Sequence, residues 1–250
     1  MLAQPSFTSR TIGAIPDIFP LAISAAFTGA LFAHLHAAGF WWLPALSVML
    51  GVICLAISQA NALHTAPARA TAAKWPIIDA PWIQELGAAH GVAIAHVVEV
   101  PATGAFWIHA GRSSTGTPRG IIALGQHLDP DHLHTTLSHE FAHGVLEHLP
   151  ARARATSIAL VPMMLPATAA FSGPAITACI AVLAGVGSVL WFCSFCRRQE
   201  IEADIGAAMY AGQDNALGML DSLAPFATSP HLCALHPPVA ARKAAVSALS

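Results

Sequence analysis

The hydrophobic and polar residues fall into long blocks that separate candidate membrane spans from a polar region. No Asp, Glu, Lys or Arg occurs from Ile18 to Ala68, and none occurs from Ala155 to Cys196. A transmembrane helix needs about 20 apolar residues, so each block can hold two spans and a short turn. We therefore predict four spans, at about 18–36, 42–59, 156–172 and 175–195. A buried or re-entrant hairpin is the alternative, since Pro162 and Pro166 interrupt the third span.

This block pattern divides the chain into a tail, two hairpins and one discontinuous domain. The tail is 1–17, the first hairpin is 18–59, and the second hairpin is 155–196. The polar pieces 60–154 and 197–250 together hold enough residues for one compact domain. The second hairpin is therefore expected to be an insertion in that domain.

The first polar piece has the pattern of an α+β fold with a small sheet. A helix is predicted at Pro81–His90, and Val- and Ile-rich runs predict strands at Val92–Val100, Ala105–His109 and Gly120–Leu124. Pro/Gly/Ser-rich residues separate the last two strands. Ile121, Ile122, Ala123 and Leu124 are predicted to form a sheet edge that pairs with an extended substrate.

A strong helix start follows these strands. Asp129 can cap the helix, Pro130 suits its first position, and Asp131 suits the positive end of its dipole. Apolar residues recur every four positions up to about His148, which gives this helix one buried face. The second polar piece is predicted to begin with a helix from Arg197 to Ala211, followed by helices near 215–224 and 238–249.

Composition and charge agree with a membrane protein. Of the 250 residues, 55% are hydrophobic and only 10% are charged, whereas soluble domains average about 25% charged residues. None of the 11 Lys and Arg residues lies in the short turn of either hairpin, so the positive-inside rule places both termini and the polar region in the cytoplasm. A net charge of −2 gives no indication of nucleic-acid binding. The lipid bilayer is the partner that these numbers predict, and they leave the oligomeric state open.

The candidate chemistry begins within the capped helix, where residues 139–143 read H-E-F-A-H. Residues four apart lie on one helix face, so His139 and His143 can share one Zn²⁺ ion. Glu140 is offset by one residue and can reach a metal-bound water without ligating the metal. The other histidines on or beside this helix, His132, His134 and His148, are expected to be solvated or core residues.

Zinc needs a third protein ligand, and two arrangements can supply it. A third histidine six residues after the second is excluded, because Leu149 occupies that position. Glu200, on the helix that starts at Arg197, is predicted as the ligand, with Asp204 four residues later on the same face. Asp204 can accept a hydrogen bond from a zinc-bound histidine. Glu202 points elsewhere and is expected to be a surface charge.

These pieces in this order resemble the HtpX family of membrane zinc peptidases, relatives of the Ste-type CAAX prenyl proteases. The matching segments are H-E-F-A-H, a two-span insertion and R-R-Q-E-I-E-A-D-I-G-A-A from Arg197. His236-Pro237-Pro238 followed by Arg242 resembles the family's closing element, and Ala105-Phe106 resembles its N-A-F-A segment, with Gly104 in place of the asparagine. The resemblance covers about residues 90–250.

The resemblance implies a mainly α membrane protein of four transmembrane helices with a cytoplasmic, zincin-like α+β metallopeptidase domain and a small antiparallel or mixed sheet. It implies one zinc ion per chain and protein or peptide substrates such as misfolded membrane proteins. The short, four-span form of the chain predicts a bacterial inner membrane. Glu140 would assist the attack of a zinc-bound water on the peptide bond. His236 and Arg242 are expected to serve either the transition state or the structure. The alternatives are a non-catalytic or signalling membrane protein that keeps a zinc peptidase fold, and a channel or transporter.

Overall fold

A computed structural model describes residues 75–102, 104–126, 128–169, 175–223 and 235–249, together with Ala37 and Gly39. The chain divides into two compact units. Of the residues from 75 onwards, 158–195 belong to one unit and the others to the second, which is the unit that concerns function. The predicted tail and first hairpin lie outside the described residues apart from Ala37 and Gly39, so the complete domain assignment stays a prediction.

A small mixed sheet lies in the functional unit. Its strands are β1 (Ala93–Val100), β2 (Ala105–Arg112) and β3 (Pro118–Gly125). Their order in the sheet is β1-β3-β2, with β1 parallel and β2 antiparallel to β3. The small mixed sheet expected from the sequence is therefore confirmed.

The predicted role of Ile121–Leu124 as a sheet edge is wrong. Ile121, Ile122, Ala123 and Leu124 lie in the central strand, where β1 pairs with one side and β2 with the other. The cause is the connection between the strands: β2 turns back onto β3 as a hairpin, which leaves the other edge of β3 for β1. Both edges of β3 are therefore occupied. Among the described strands, β2 is the one that lies beside α2 and has a free edge.

Helices make up most of the remaining described residues. They are α1 (Pro81–Ala89), α2 (Leu133–Val145), α3 (His148–Ala169), α4 (Ala175–Ala211), α5 (Gln213–Leu223) and α6 (Val239–Ser247). A 3-10 turn, Pro130–His132, leads into α2. The side chain of Asp129 accepts a hydrogen bond from the Asp131 backbone N–H at 3.0 Å, so Asp129 caps this turn as predicted.

Helix α4 differs from its prediction because it is continuous. The sequence predicts a span at 175–195 and a separate helix from Arg197, but no proline or glycine separates them, and one helix of about 55 Å results. Within the described residues, its segment Cys179–Ala211 is the one helix that is long and apolar enough to cross a membrane. The predicted span 156–172 falls in α3 up to Ala169, and its last residues lie outside the described part.

The core of the functional unit lies between the sheet and helices α1 and α2. Its largest buried side chains include Ile83, Val97, Trp107, Ile122 and Phe141. Gly144 lets α2 approach the sheet, since a Cβ atom there would lie 2.8 Å from the Trp107 ring. Because this side of α2 packs against the sheet, the opposite side of the helix has a fixed orientation.

Helix α4 approaches that other face of α2 very closely. A Cβ atom on Gly206 would lie 2.6 Å from the Cβ of Ala142, well inside van der Waals contact. Ala203 and Ala207, which flank this glycine along α4, are fully buried. Small side chains therefore let the two helices pack at short range, and this closeness brings residues of α4 to the polar face of α2.

We predict that Gly206→Ala separates α2 from α4 and costs about 1–3 kcal/mol of unfolding free energy, because the added methyl group overpacks the contact. Chemical denaturation in detergent measures this loss. Gly218→Ala in α5 is the matched control, since its Cβ would meet only the side chain of His132 at 3.2 Å. Equal stability for the two variants would contradict the proposed close contact.

Candidate metal centre

Two histidines on α2 place ring nitrogens at a common point. His139 and His143 are one helical turn apart, and their Nε2 atoms are 3.1 Å from each other. His139 is buried, with 7% of its surface exposed, and the side chain of His143 is 12% exposed. The H-E-x-x-H spacing on a helix thus brings both rings to one buried site, as predicted from the sequence.

Glu200 reaches the same point from α4. Its Oε2 atom lies 3.7 Å from His139 Nε2, and its Oε1 atom lies 3.6 Å from His143 Nε2. Glu200 is 3% exposed. The carboxylate therefore faces both rings, as the predicted role of Glu200 as the third ligand requires.

The three side chains fit a metal ion in size and in chemistry. Donor atoms from all three lie within 4.8 Å of one another. In a tetrahedral zinc site with bonds of about 2.1 Å, donor atoms are separated by about 3.4 Å, close to the three distances above. Two imidazoles and one carboxylate are also a donor set of catalytic zinc sites, which keep a fourth position open.

Asp204 holds the outer nitrogen of His139. Its Oδ1 atom lies 2.9 Å from His139 Nδ1, although the N–H direction is off the line to that oxygen. Arg242, on α6, binds both oxygens of Asp204, with Nε and Nη2 each donating at 2.6 Å. Asp204 is fully buried and Arg242 is 7% exposed. Arg242 is thus committed to a buried ion pair that fixes Asp204.

The outer nitrogen of His143 has a different partner. His148, at the start of α3, places its Nδ1 atom 2.7 Å from His143 Nδ1. The Nε2 atom of His148 lies 3.2 Å from Glu202 Oε2. The expectation that Glu202 is only a surface charge is therefore wrong, and the buried His148 contacts the site directly.

Arg152 and His236 contact the carboxylate of Glu200. Arg152 Nη2 donates to Oε1 at 2.5 Å, and its Nε donates to Gln199 at 2.7 Å. His236 Nδ1 lies 2.9 Å from Oε2, while the His236 ring is 69% exposed. Sequence reasoning missed Arg152, although it stands four residues after His148 and therefore shares its helix face.

Glu140 lies beside these groups with one oxygen already held. Its Oε2 atom accepts a hydrogen bond from the Trp107 backbone N–H of β2 at 2.8 Å. Burial raises the pKa of Glu140 to about 7. A carboxyl group whose pKa lies near neutrality can both accept and return a proton, which is what a general base needs.

The pKa values of His139 and His143 indicate where a positive charge is stabilised. Burial opposes protonation of His139, but the nearby carboxylates of Asp204 and Glu200 outweigh it and raise the pKa of His139 to about 10. Burial and the neighbouring His139 lower the pKa of His143 well below its usual value. The carboxylates thus stabilise one positive charge between the rings, a charge that a metal ion would supply in place of the proton.

A cavity of about 720 Å³ opens beside these residues. The start of β2 and the residue before it line this cavity, with Gly104, Ala105, Phe106 and Trp107. Phe106 is 47% exposed. The free strand edge and the polar centre are therefore accessible from the same space.

The family comparison agrees with this geometry. The sequence model of Peptidase family M48 matches residues 85–250. No curated protein and no solved structure matches the chain. Because the family match spans well over half of the chain and contains every residue of this site, the chain belongs to Peptidase family M48, whose metallopeptidases use zinc.

Proposed function

We propose that the protein is an HtpX-like membrane endopeptidase in which His139, His143 and Glu200 hold one zinc ion and Glu140 is the general base. The observation that carries this proposal is the donor set itself. Nitrogens from α2 and a carboxylate from α4 converge at separations suited to tetrahedral zinc, beside a further buried carboxyl group. Membership of a metallopeptidase family supports the same chemistry.

Peptide hydrolysis needs an activated water and a stabilised oxyanion. When bound, zinc supplies Lewis acidity that acidifies water and polarises the scissile carbonyl. Glu140 accepts the proton of the attacking water and passes it to the leaving amine. The Trp107 N–H fixes Oε2 of Glu140, so Oε1 is the oxygen left to accept the proton.

The substrate binds along β2 in this proposal. Strand β2 has a free edge among the described strands beside α2, it starts at the cavity, and its Trp107 N–H contacts the catalytic carboxylate. An extended peptide can add to such an edge through main-chain hydrogen bonds, which gives loose sequence preference. Protein and peptide substrates, including unfolded membrane proteins, suit this mode of recognition.

His236 and Arg242 have separate roles in the proposed mechanism. Arg242 donates two buried hydrogen bonds to Asp204. Its role is therefore to hold Asp204 in place beside His139. The His236 ring is largely exposed and lies at Glu200 on the cavity wall. Of the two, His236 is the residue that can reach a substrate oxyanion.

The membrane location rests on the charge-free blocks and on α4. The most apolar 18-residue stretch of its segment Cys179–Ala211 has a mean hydropathy of 2.1, and the charged residues of the segment begin only at Arg197. We propose that the apolar part of α4 crosses the bilayer and that the metal centre lies on the cytoplasmic side of a bacterial inner membrane.

The ligand assignment predicts that His139→Ala, His143→Ala and Glu200→Ala each lose stoichiometric zinc, because two donors seldom retain the ion. Elemental analysis of detergent-purified protein after gel filtration measures the zinc content. His96→Ala, at an exposed position on β1, is the control and is expected to keep one zinc ion per chain. Retention of zinc by Glu200→Ala would contradict the assignment of the third ligand.

The general-base assignment predicts that Glu140→Gln lowers the cleavage of casein or of an unfolded membrane protein by about 10²–10⁴-fold. Its zinc content should remain that of the wild type, since Glu140 is not a ligand. Glu147→Gln is the matched control, because Glu147 pairs with Arg112 instead of the centre. Wild-type cleavage by Glu140→Gln would exclude this residue as the base.

The membrane proposal predicts that the protein stays in the membrane pellet after alkaline carbonate treatment and is released by detergent. Apolar spans are held by the bilayer, whereas ionic surface contacts are lost under these conditions. Quantitative immunoblotting of pellet and supernatant measures the distribution. Release of most of the protein by carbonate alone would contradict an integral location.

A further inference from the structure

A chain of three side chains runs from α4 to the outer nitrogen of His143. Glu202 Oε2 lies 3.2 Å from His148 Nε2, and His148 Nδ1 lies 2.7 Å from His143 Nδ1. His148 is buried, with 3% of its surface exposed. The side chain of Glu202 is 27% exposed, so the chain begins near the surface and ends at the candidate ligand.

The chemistry of these groups assigns each proton. An ionised carboxylate only accepts, so His148 carries its proton on Nε2 and donates it to Glu202. A neutral ring then has a lone pair on Nδ1, and at 2.7 Å the two Nδ1 atoms cannot both carry protons. His143 therefore donates from Nδ1, which leaves its Nε2 lone pair facing His139 and Glu200.

This arrangement parallels the one on the other histidine. Asp204 contacts His139 Nδ1 directly at 2.9 Å, so its Nε2 is likewise left for a metal ion. A carboxylate of α4 thus orients each ring, once directly and once through a second imidazole. Such outer partners fix the tautomer and the ring orientation of metal-binding histidines.

The turn between α2 and α3 is built to bring His148 to this position. Glu147 has a φ of 51°, a left-handed conformation that is unfavourable for a residue other than glycine. Strained backbone of this kind persists where the surroundings hold it in place. Immediately after this residue the chain re-enters a helix, and His148 packs against His143 with ring centroids 4.9 Å apart.

We propose that Glu202 and His148 are positioning residues that fix the tautomer and orientation of His143 as a metal ligand. This inference rests on the proposed zinc peptidase function. It adds two residues that act on the ion through His143.

The test is zinc affinity, measured on the metal-stripped full chain in detergent by competition with a chromophoric chelator. We expect His148→Leu to weaken zinc binding by about 10–100-fold and Glu202→Leu by roughly tenfold, the range found for outer-shell partners of metal ligands. His148→Asn places an amide oxygen near the original Nδ1 atom, so it should recover most of the affinity that His148→Leu loses.

A double variant shows whether Glu202 acts through His148. The shorter side chain introduced by His148→Asn does not reach Glu202, so adding Glu202→Leu to His148→Asn should cause no further loss of affinity. The controls are His134→Leu, at an exposed position of α2, and Asp221→Leu. In the wild type, the Asp221 carboxylate pairs with Lys243 at 2.7 Å, away from the centre. Both controls should bind zinc like the wild type.

Two results would overturn the inference while leaving the proposed function intact. One is zinc binding by His148→Leu and Glu202→Leu that equals that of the controls. The other is an equal loss for His148→Leu and His148→Asn, which would indicate packing alone. If the wild type binds no zinc, or if His143→Ala binds as the wild type does, the proposed function fails as well.

Discussion

The close contact between α2 and α4 is the constraint on which the metal centre depends. Helix α2 supplies two imidazoles, and α4 supplies the carboxylates that complete and orient them, so a shift of about 1 Å between the helices would open the donor set. Gly206 against Ala142 sets that separation. On its sheet-facing side, α2 is fixed by Phe141 and by Gly144 against Trp107. Backbone packing on both sides of α2 therefore determines where the ring nitrogens point.

Much of the fold and of the centre follows from the sequence, for reasons that are local. The H-E-x-x-H spacing fixes two rings on one helix face, the four-residue spacing of Glu200 and Asp204 does the same on α4, and runs rich in Val and Ile mark the strands. Sheet order does not follow in this way, because it depends on which edge of β3 each neighbour occupies. The role of Glu202 was missed for a similar reason. It lies off the face of Glu200, and only the turn at Glu147, which no sequence signal marked, brings His148 between Glu202 and His143.

The ionisable groups around His139 and His143 form a network of buried ion pairs. Arg242 neutralises Asp204, and Arg152 contacts Glu200 together with His236. Despite burial, the carboxylates of Asp204 and Glu200 raise the pKa of His139 to about 10. A divalent ion at this point would replace one proton and be held by charges that the protein has already oriented. Metal binding and proton release are linked for that reason.

The burial of these charged side chains also helps to distinguish an enzyme from a non-catalytic scaffold that keeps the same fold. Desolvating charged groups costs several kcal/mol per ion, and well-packed apolar side chains commonly give equal or greater stability. A scaffold has no need for Glu200 and Asp204, both almost fully buried, or for Glu140 with a pKa near 7. The same groups are what a hydrolytic centre requires: a ligand, an orienting partner and a base within reach of a cavity beside a free strand edge. The cost of burying these charges is understandable if the site binds a metal and carries out chemistry, which is why the geometry favours the peptidase over the scaffold.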